Sequence, residues 1–201
     1  MDNFQQFDNT AGFFVGNEVL NVGRFARSVG WGTRANSSPV ADAPFAPYVL
    51  AAVADLKGYQ KAKGYRKIPI GYSATDTAVL RPMLQNYLVC KSNETERVDF
   101  YSLNSYEWCG SQSSYTISGY NTLQQYANGY PVPIFLSEDG CNTVPPRGFE
   151  DQSVIFGSQM SGTWSGAIIY EWIEETNHYG LVNYGPFAGK GVTDGTSVID
   201  G

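Results

Sequence analysis

Five short apolar runs punctuate the chain: "AGFFVG" (Ala11–Gly16), "KIPIGY" (Lys67–Tyr72), "VDFYSLN" (Val98–Asn104), "VPIFLS" (Val132–Ser137) and "GAIIYEW" (Gly166–Trp172). They are apolar without clean alternation, the pattern of strands covered on both faces. Helical periodicity fills the intervals. In "APYVLAAVADLKGYQKAKG", Val49, Val53 and Leu56 recur at i, i+4 and i+7; Gln60 continues the series as a polar residue, and Gly64 stands where the helix should stop. "TDTAVLRPMLQNYL" offers Thr75 or Asp76 as an N-cap, with Pro82 kinking or splitting the segment. "SGYNTLQQYANG" and "EDQSVIFGSQMSG" predict two further helices, ending at Gly129 and Gly162.

Strand–helix alternation of this kind predicts parallel βα units. With strands marked at Phe13, Ile68, Asp99, Ile134 and Ile168, the last four recur every 31–35 residues, while the first interval is longer by about 20. Something is therefore inserted between Gly16 and Pro44. A doubly wound sheet accommodates five strands, but no strand end carries G-x-G-x-x-G or G-x-x-x-x-G-K-[ST]. A (β/α)8 barrel needs eight strands and about 250 residues. Periodicity alone leaves open sheet and partial barrel both standing.

Both folds gather chemistry at the C-terminal ends of their strands. The residues there are Asn17-Glu18, Tyr72-Ser73, Tyr106-Glu107-Trp108, Glu138-Asp139 and Tyr170-Glu171-Trp172. Carboxylates, amides and aromatics without Lys or Arg suit a neutral, hydroxyl-rich, ring-shaped substrate. Glycoside chemistry needs two carboxyls, one to protonate the leaving oxygen and one to attack the anomeric carbon or activate water. Glu18 and Glu138 each follow directly on a strand. Taken singly, a strand-end glutamate is most simply a solvated one. Two of them, each followed within a few residues by Asn or Cys and set among aromatics, favour function.

Composition narrows the field further. The 201 residues suffice for one domain with a real core, and 42% hydrophobic with 16% charged residues describes a globular chain. A net charge of −6 excludes the basic stripe that a nucleic-acid partner requires. Three Cys and one His, at 90, 109, 141 and 178, match no zinc spacing, so no metal and no other cofactor is expected. Without G-x-S-x-G, a Ser–His–Asp arrangement would have to rest on His178 in the polar loop "EETNHYG". No apolar run approaches the roughly 18 residues of a membrane span. The opening "MDNFQQFDNT" lacks the basic and apolar regions of a signal peptide. Asn36-Ser37-Ser38 and Asn93-Glu94-Thr95 are sequons that permit glycosylation in a secreted protein.

"FFVGNEV", "YSLNSYEWCG", "FLSEDGCN" and "AIIYEWIEETNHYGLV" together resemble, in order and across nearly the whole chain, the catalytic domain of family 72 of the glycoside hydrolases. These are fungal cell-wall β-1,3-glucanosyltransferases, extracellular and usually held by a glycosylphosphatidylinositol (GPI) anchor. The resemblance implies a partial (β/α)8 barrel in which the five strands are the fourth to the eighth and the first three are missing. Residues 1–201 then form a single catalytic domain, with 22–35 ("VGRFARSVGWGTRA") as an atypical insertion that reads as translated intron sequence. Glu18 becomes the acid/base and Glu138 the nucleophile. Asn17 matches the amide that bonds the sugar 2-hydroxyl, and Tyr106 and Tyr170 match tyrosines lining the site.

The implied partners are a β-1,3-glucan donor and acceptor. The chain would meet a membrane only through an anchor outside these residues. Two carboxyls about 5–5.5 Å apart are what retention requires. By the same resemblance Cys109 and Cys141 form a disulfide, and Cys90 pairs with a cysteine beyond Gly201. Asp139 departs from the family, which often places an aromatic there; its carboxyl is expected to point away from Glu138. The rival readings are a retaining β-glucanase, a non-catalytic glucan-binding or cell-wall protein, and an inactive fragment. Five strands also leave two barrel edges unpaired, so the isolated chain is expected to be unstable.

Overall fold

All five apolar runs are strands in the computed structural model, which describes residues 1–21 and 43–183. The insertion at 22–35 lies outside the described residues. The strands are β1 (Phe13–Asn17), β2 (Ile70–Thr75), β3 (Phe100–Ser105), β4 (Ile134–Asp139) and β5 (Trp164–Ile169), hydrogen-bonded in sequence order within one sheet. Pairing of β1 with β2 and of β2 with β3 is parallel. The helices between them are α1 (Ala46–Ala62), α2 (Arg81–Tyr87), α3 (Tyr120–Ala127) and α4 (Gln152–Ile155). Fold class is therefore α/β with a five-stranded sheet.

The described residues divide into two compact units, one drawn from 1–21, 43–104 and 126–135 and the other from 105–125 and 136–183. In the first, β2 is buried at all but its last position and α1 packs Val49, Leu50 and Val53 inward. Each such aliphatic side chain, fully buried, stabilises the fold by about 1.5–3 kcal/mol. Gln60 completes the buried stripe of α1 because its Nε2 donates to the Ile68 carbonyl at 2.9 Å, which removes the cost of burying an amide. In the second unit the core is built on Tyr120, Leu123, Leu136, Ile155, Met160 and Trp164.

Several boundaries differ from those the pattern predicts. β2 continues three residues beyond Tyr72, because Ser73 and Ala74 are small enough to be buried and Ser73 is hydrogen-bonded there. β4 does not stop at Leu136 or Ser137 but carries Glu138 and Asp139 within it. Thr75 lies in β2 and Asp76 is no cap; its carboxylate pairs with Arg81 at 2.7 Å. Pro82 sits in the first turn of α2, where its missing N–H has no partner to lose, so the proline starts the helix instead of kinking it. The segment ending at Gly162 forms only the four-residue α4, followed by turns.

Phe14, Phe100 and Phe135 cluster on one face of the first unit, with ring centroids 5.4, 5.7 and 6.2 Å apart. Phe100 is the register partner of Gly71, and its ring lies where a Cβ at residue 71 would be. Gly71→Ala is therefore expected to force the buried Phe100 ring aside and lower stability by about 1–3 kcal/mol. An unchanged denaturation midpoint would disprove this account of the glycine.

Candidate active site

The first cluster stands at the end of β1, inside the first unit. The pairing of β1 with β2 shifts after Phe14, so that Asn17 falls opposite Ser73. Glu18 then turns out of the strand with φ +50, a left-handed conformation uncommon for a residue with a side chain. Its N–H is retained by the Ser73 carbonyl at 2.9 Å. Asn104, buried at the end of β3, donates through Nδ2 to Glu18 Oε1 at 3.0 Å and to Asn17 Oδ1 at 3.1 Å. Ser73 Oγ donates to Asn104 Oδ1 at 2.8 Å, which fixes which way the amide faces. Asn21 Nδ2 donates to Glu18 Oε2 at 3.3 Å, and the Tyr72 hydroxyl accepts from the Leu20 N–H at 3.0 Å, holding the turn.

The second cluster belongs to the second unit and surrounds Glu138. The Tyr106 hydroxyl donates to Glu138 Oε2 at 2.6 Å, a short charge-assisted bond. Burial, then the Glu138 carboxylate, pushes the Tyr106 phenol far up, so Tyr106 keeps its proton and remains the donor. Tyr106, Tyr170 and Tyr179 form a triangle of edge-on rings, with centroid separations of 6.4, 5.5 and 5.4 Å. Tyr170 is pushed up to about 12, first by its bond to Glu171 and then by burial. Cys109 and Cys141 are joined in a disulfide that ties the loop after β3 to the loop after β4. Cys90 is free and exposed.

Asp139 occupies the opposite face of β4 from Glu138, as strand alternation dictates. It is fully buried, and its Oδ2 accepts from Gln152 Nε2 at 2.6 Å. Burial and the adjoining Asp151 carboxyl push it from 3.8 up to about 8, against the opposing pull of Gln152 and Arg147. His178 is exposed and paired with Glu174 at 2.9 Å. Among the described residues no three His, Cys, Asp or Glu side chains are grouped to hold a metal.

Each unit thus carries one carboxylate in a polar cluster, Glu18 held by amides in the first and Glu138 held by a phenol in the second. A family model described as Glucanosyltransferase, glycoside hydrolase family 72, matches residues 1–194. The chain belongs to that family. It is 41% identical over 191 residues to the 1,3-beta-glucanosyltransferase PGA5 of Candida albicans, covering 90% of this chain and 27% of that protein. It is 44% identical over 188 residues to the 1,3-beta-glucanosyltransferase gas2 of Schizosaccharomyces pombe, covering 91% and 37%. A glutamate-to-glutamine mutant of Saccharomyces cerevisiae Gas2p, solved with laminaritetraose and laminaripentaose, superposes with TM-score 0.77 at 39% identity, covering 94% of this chain and 38% of that one. The chain thus spans roughly a third of the length of these family members.

All five sugar-site residues expected from the sequence stand at strand ends, but in separate groups: Asn17 with Glu18, and Tyr106 and Tyr170 with Glu138. Two residues with direct places in these groups lie within the quoted motifs but carry no role in the motif reading. Asn104 was visible only as a polar residue closing an apolar run, and Tyr179 only as an aromatic in a polar loop.

Asn104→Ala is expected to lower turnover about ten- to hundredfold with little change in substrate KM, since it frees the Glu18 carboxyl; steady-state kinetics on β-1,3-oligosaccharides would show it. Asp139 carries a proton in the folded chain that the unfolded chain releases above about pH 4. Its contribution to stability is therefore complete below pH 4 and lost as pH rises to about 8. Asp139→Asn should flatten the fall in Tm between those limits; parallel curves for the two proteins would count against the assignment.

Proposed function

We propose that the protein is a β-1,3-glucanosyltransferase that acts with retention, and that its five strands are the fourth to eighth of a (β/α)8 barrel whose first three lie outside this chain. The observation that carries the reading is the 2.6 Å bond from Tyr106 to Glu138, within a tyrosine-walled cluster of a family 72 chain. Glu138 is the nucleophile: an Oε attacks the anomeric carbon while Glu18, as the acid, protonates the departing 3-oxygen. The glycosyl ester on Glu138 is then opened by the 3-hydroxyl of a second glucan, whose proton passes to Glu18. One β-1,3 bond breaks and one forms, so the acceptor grows. Asn17 is placed to bond the sugar 2-hydroxyl, and Tyr106 and Tyr170 line the pocket.

The single family match over residues 1–194 supports one catalytic domain. A disulfide between Cys109 and Cys141 suits an oxidising, extracellular compartment. We place the protein at the fungal cell surface, with any GPI anchor outside this chain. Among the described residues no helix is long and apolar enough to cross a membrane. Reduced β-1,3-oligosaccharides test the reading in the full-length enzyme: products longer than the substrate are expected, and shorter products alone would make it a hydrolase. Glu138→Gln and Glu18→Gln should each cut the rate by about a thousandfold; normal transfer by the Glu138→Gln enzyme would remove the nucleophile from this scheme.

A further inference from the structure

Arg147 stands in "VPPRGF", a loop that no part of the scheme above employs. Its guanidinium reaches three backbone carbonyls. Nη1 donates to Tyr179 O, while Nη2 donates to Tyr170 O at 2.8 Å and to Gly140 O at 3.4 Å. Gly140 lies two residues after Glu138, Tyr170 directly follows β5, and Tyr179 is on the returning limb of the loop beyond it. The return limb closes by backbone bonds from Glu171 N to Tyr179 O and from Leu181 N to Glu171 O, at 2.9 and 2.8 Å. The guanidinium also faces the rings of Phe149 and Tyr179, 4.8 and 5.6 Å from their centroids, a stacked cation–π arrangement. All of these residues belong to the second unit.

What Arg147 does not do is equally informative. Among the described residues no carboxylate lies within ion-pairing distance of it; the carboxylates whose fields it touches, Asp139 and Glu174, are pulled down by its charge from farther away. A surface arginine satisfied by water would not be spent on three carbonyls and two rings. A planar fork with fixed donor directions is suited to this task and a flexible ammonium is not. Gly140 is part of the same device. With φ +113 it adopts a backbone form that side chains avoid, and a Cβ there would occupy the position of Arg147 Nη2. Glycine at 140 and arginine at 147 therefore fit as a pair.

We infer that Arg147 is a positioning residue for the Glu138 site, fixing Tyr170 and Tyr179 against Tyr106 by holding their backbone. Tyr106 is the direct hydrogen-bond donor to Glu138, and the two other rings pack edge-on against it. Releasing Tyr170 and Tyr179 loosens the wall against which Tyr106 rests, and with it the placement of both substrate and nucleophile. A displacement of about 1 Å at such a site costs about a hundredfold in rate. The inference rests on the reading of Glu138 as nucleophile.

The test uses the full-length enzyme and reduced β-1,3-oligosaccharides, with Arg147→Ala, Arg147→Lys, Tyr179→Ala and Glu138→Gln. Both Arg147 variants are expected to lose about ten- to hundredfold in kcat/KM, lysine failing to rescue because it cannot span three carbonyls. Guanidinium ion added at tens of millimolar should restore part of the Arg147→Ala activity, where a merely weakened fold would be harmed by it. In the Tyr179→Ala background, Arg147→Ala should cost little more, since both act through the same wall. Wild-type activity in Arg147→Lys, or additive losses in the double variant, would overturn the inference. Glu138→Gln separates the two failures: activity there removes the nucleophile reading whatever Arg147 does. With that variant inactive, a fully active lysine variant removes the role of Arg147 alone.

Discussion

The setting of Glu18 depends on the complete burial of β3. All six of its residues are hidden, so a polar atom left unpaired along it is costly, and the Tyr101 hydroxyl is one that bears this cost. Ser102 Oγ donates to the Tyr72 carbonyl at 3.1 Å, Ser105 Oγ donates to Glu107, and Asn104 is engaged on both sides of its amide. A strand so constrained cannot slide by one residue without exposing apolar surface and orphaning these groups. Asn104 therefore meets Glu18 at a fixed place.

The two carboxylates stand in different company. Glu18 is contacted by primary amides, which offer several donors and no titration of their own. Glu138 receives a phenol whose proton burial holds in place. The roles proposed for the two groups differ, and so do the neighbours that hold them. Asp139, beside Glu138 in sequence, is turned away from it by strand alternation: its carboxyl joins Gln152 and Asp151 in the interior. The adjacency in "SED" is thus one of chain and not of space.

Apolar runs located all five strands, although only β2 and β3 are buried almost throughout, while β1 and β5 keep exposed positions such as Phe14 and Ile168. The same signal misjudged their ends. It lost β2 at Tyr72, since Ser73 and Ala74 are buried by being small and bonded instead of apolar, and it lost β4 at Ser137, since Glu138 and Asp139 continue the strand with carboxyl side chains. Gln60 was visible as a break in a helical stripe, but its bond to Ile68 was not. The resemblance implied roles for Glu18, Glu138, Asn17, Tyr106 and Tyr170, while Asn104 and Tyr179 lie in the same strings without one. Asn104 and Tyr179 escaped because their roles come from partners 86 residues away and from an arginine in another loop.

The backbone at Glu18 has an energetic corollary. A left-handed φ there makes a side-chain-bearing residue a poor conformational choice, at a cost of about 1 kcal/mol that glycine or asparagine would largely avoid. Stability alone pulls this position away from glutamate. Under the role proposed for Glu18, the position carries this cost because neither glycine nor asparagine can supply an acid.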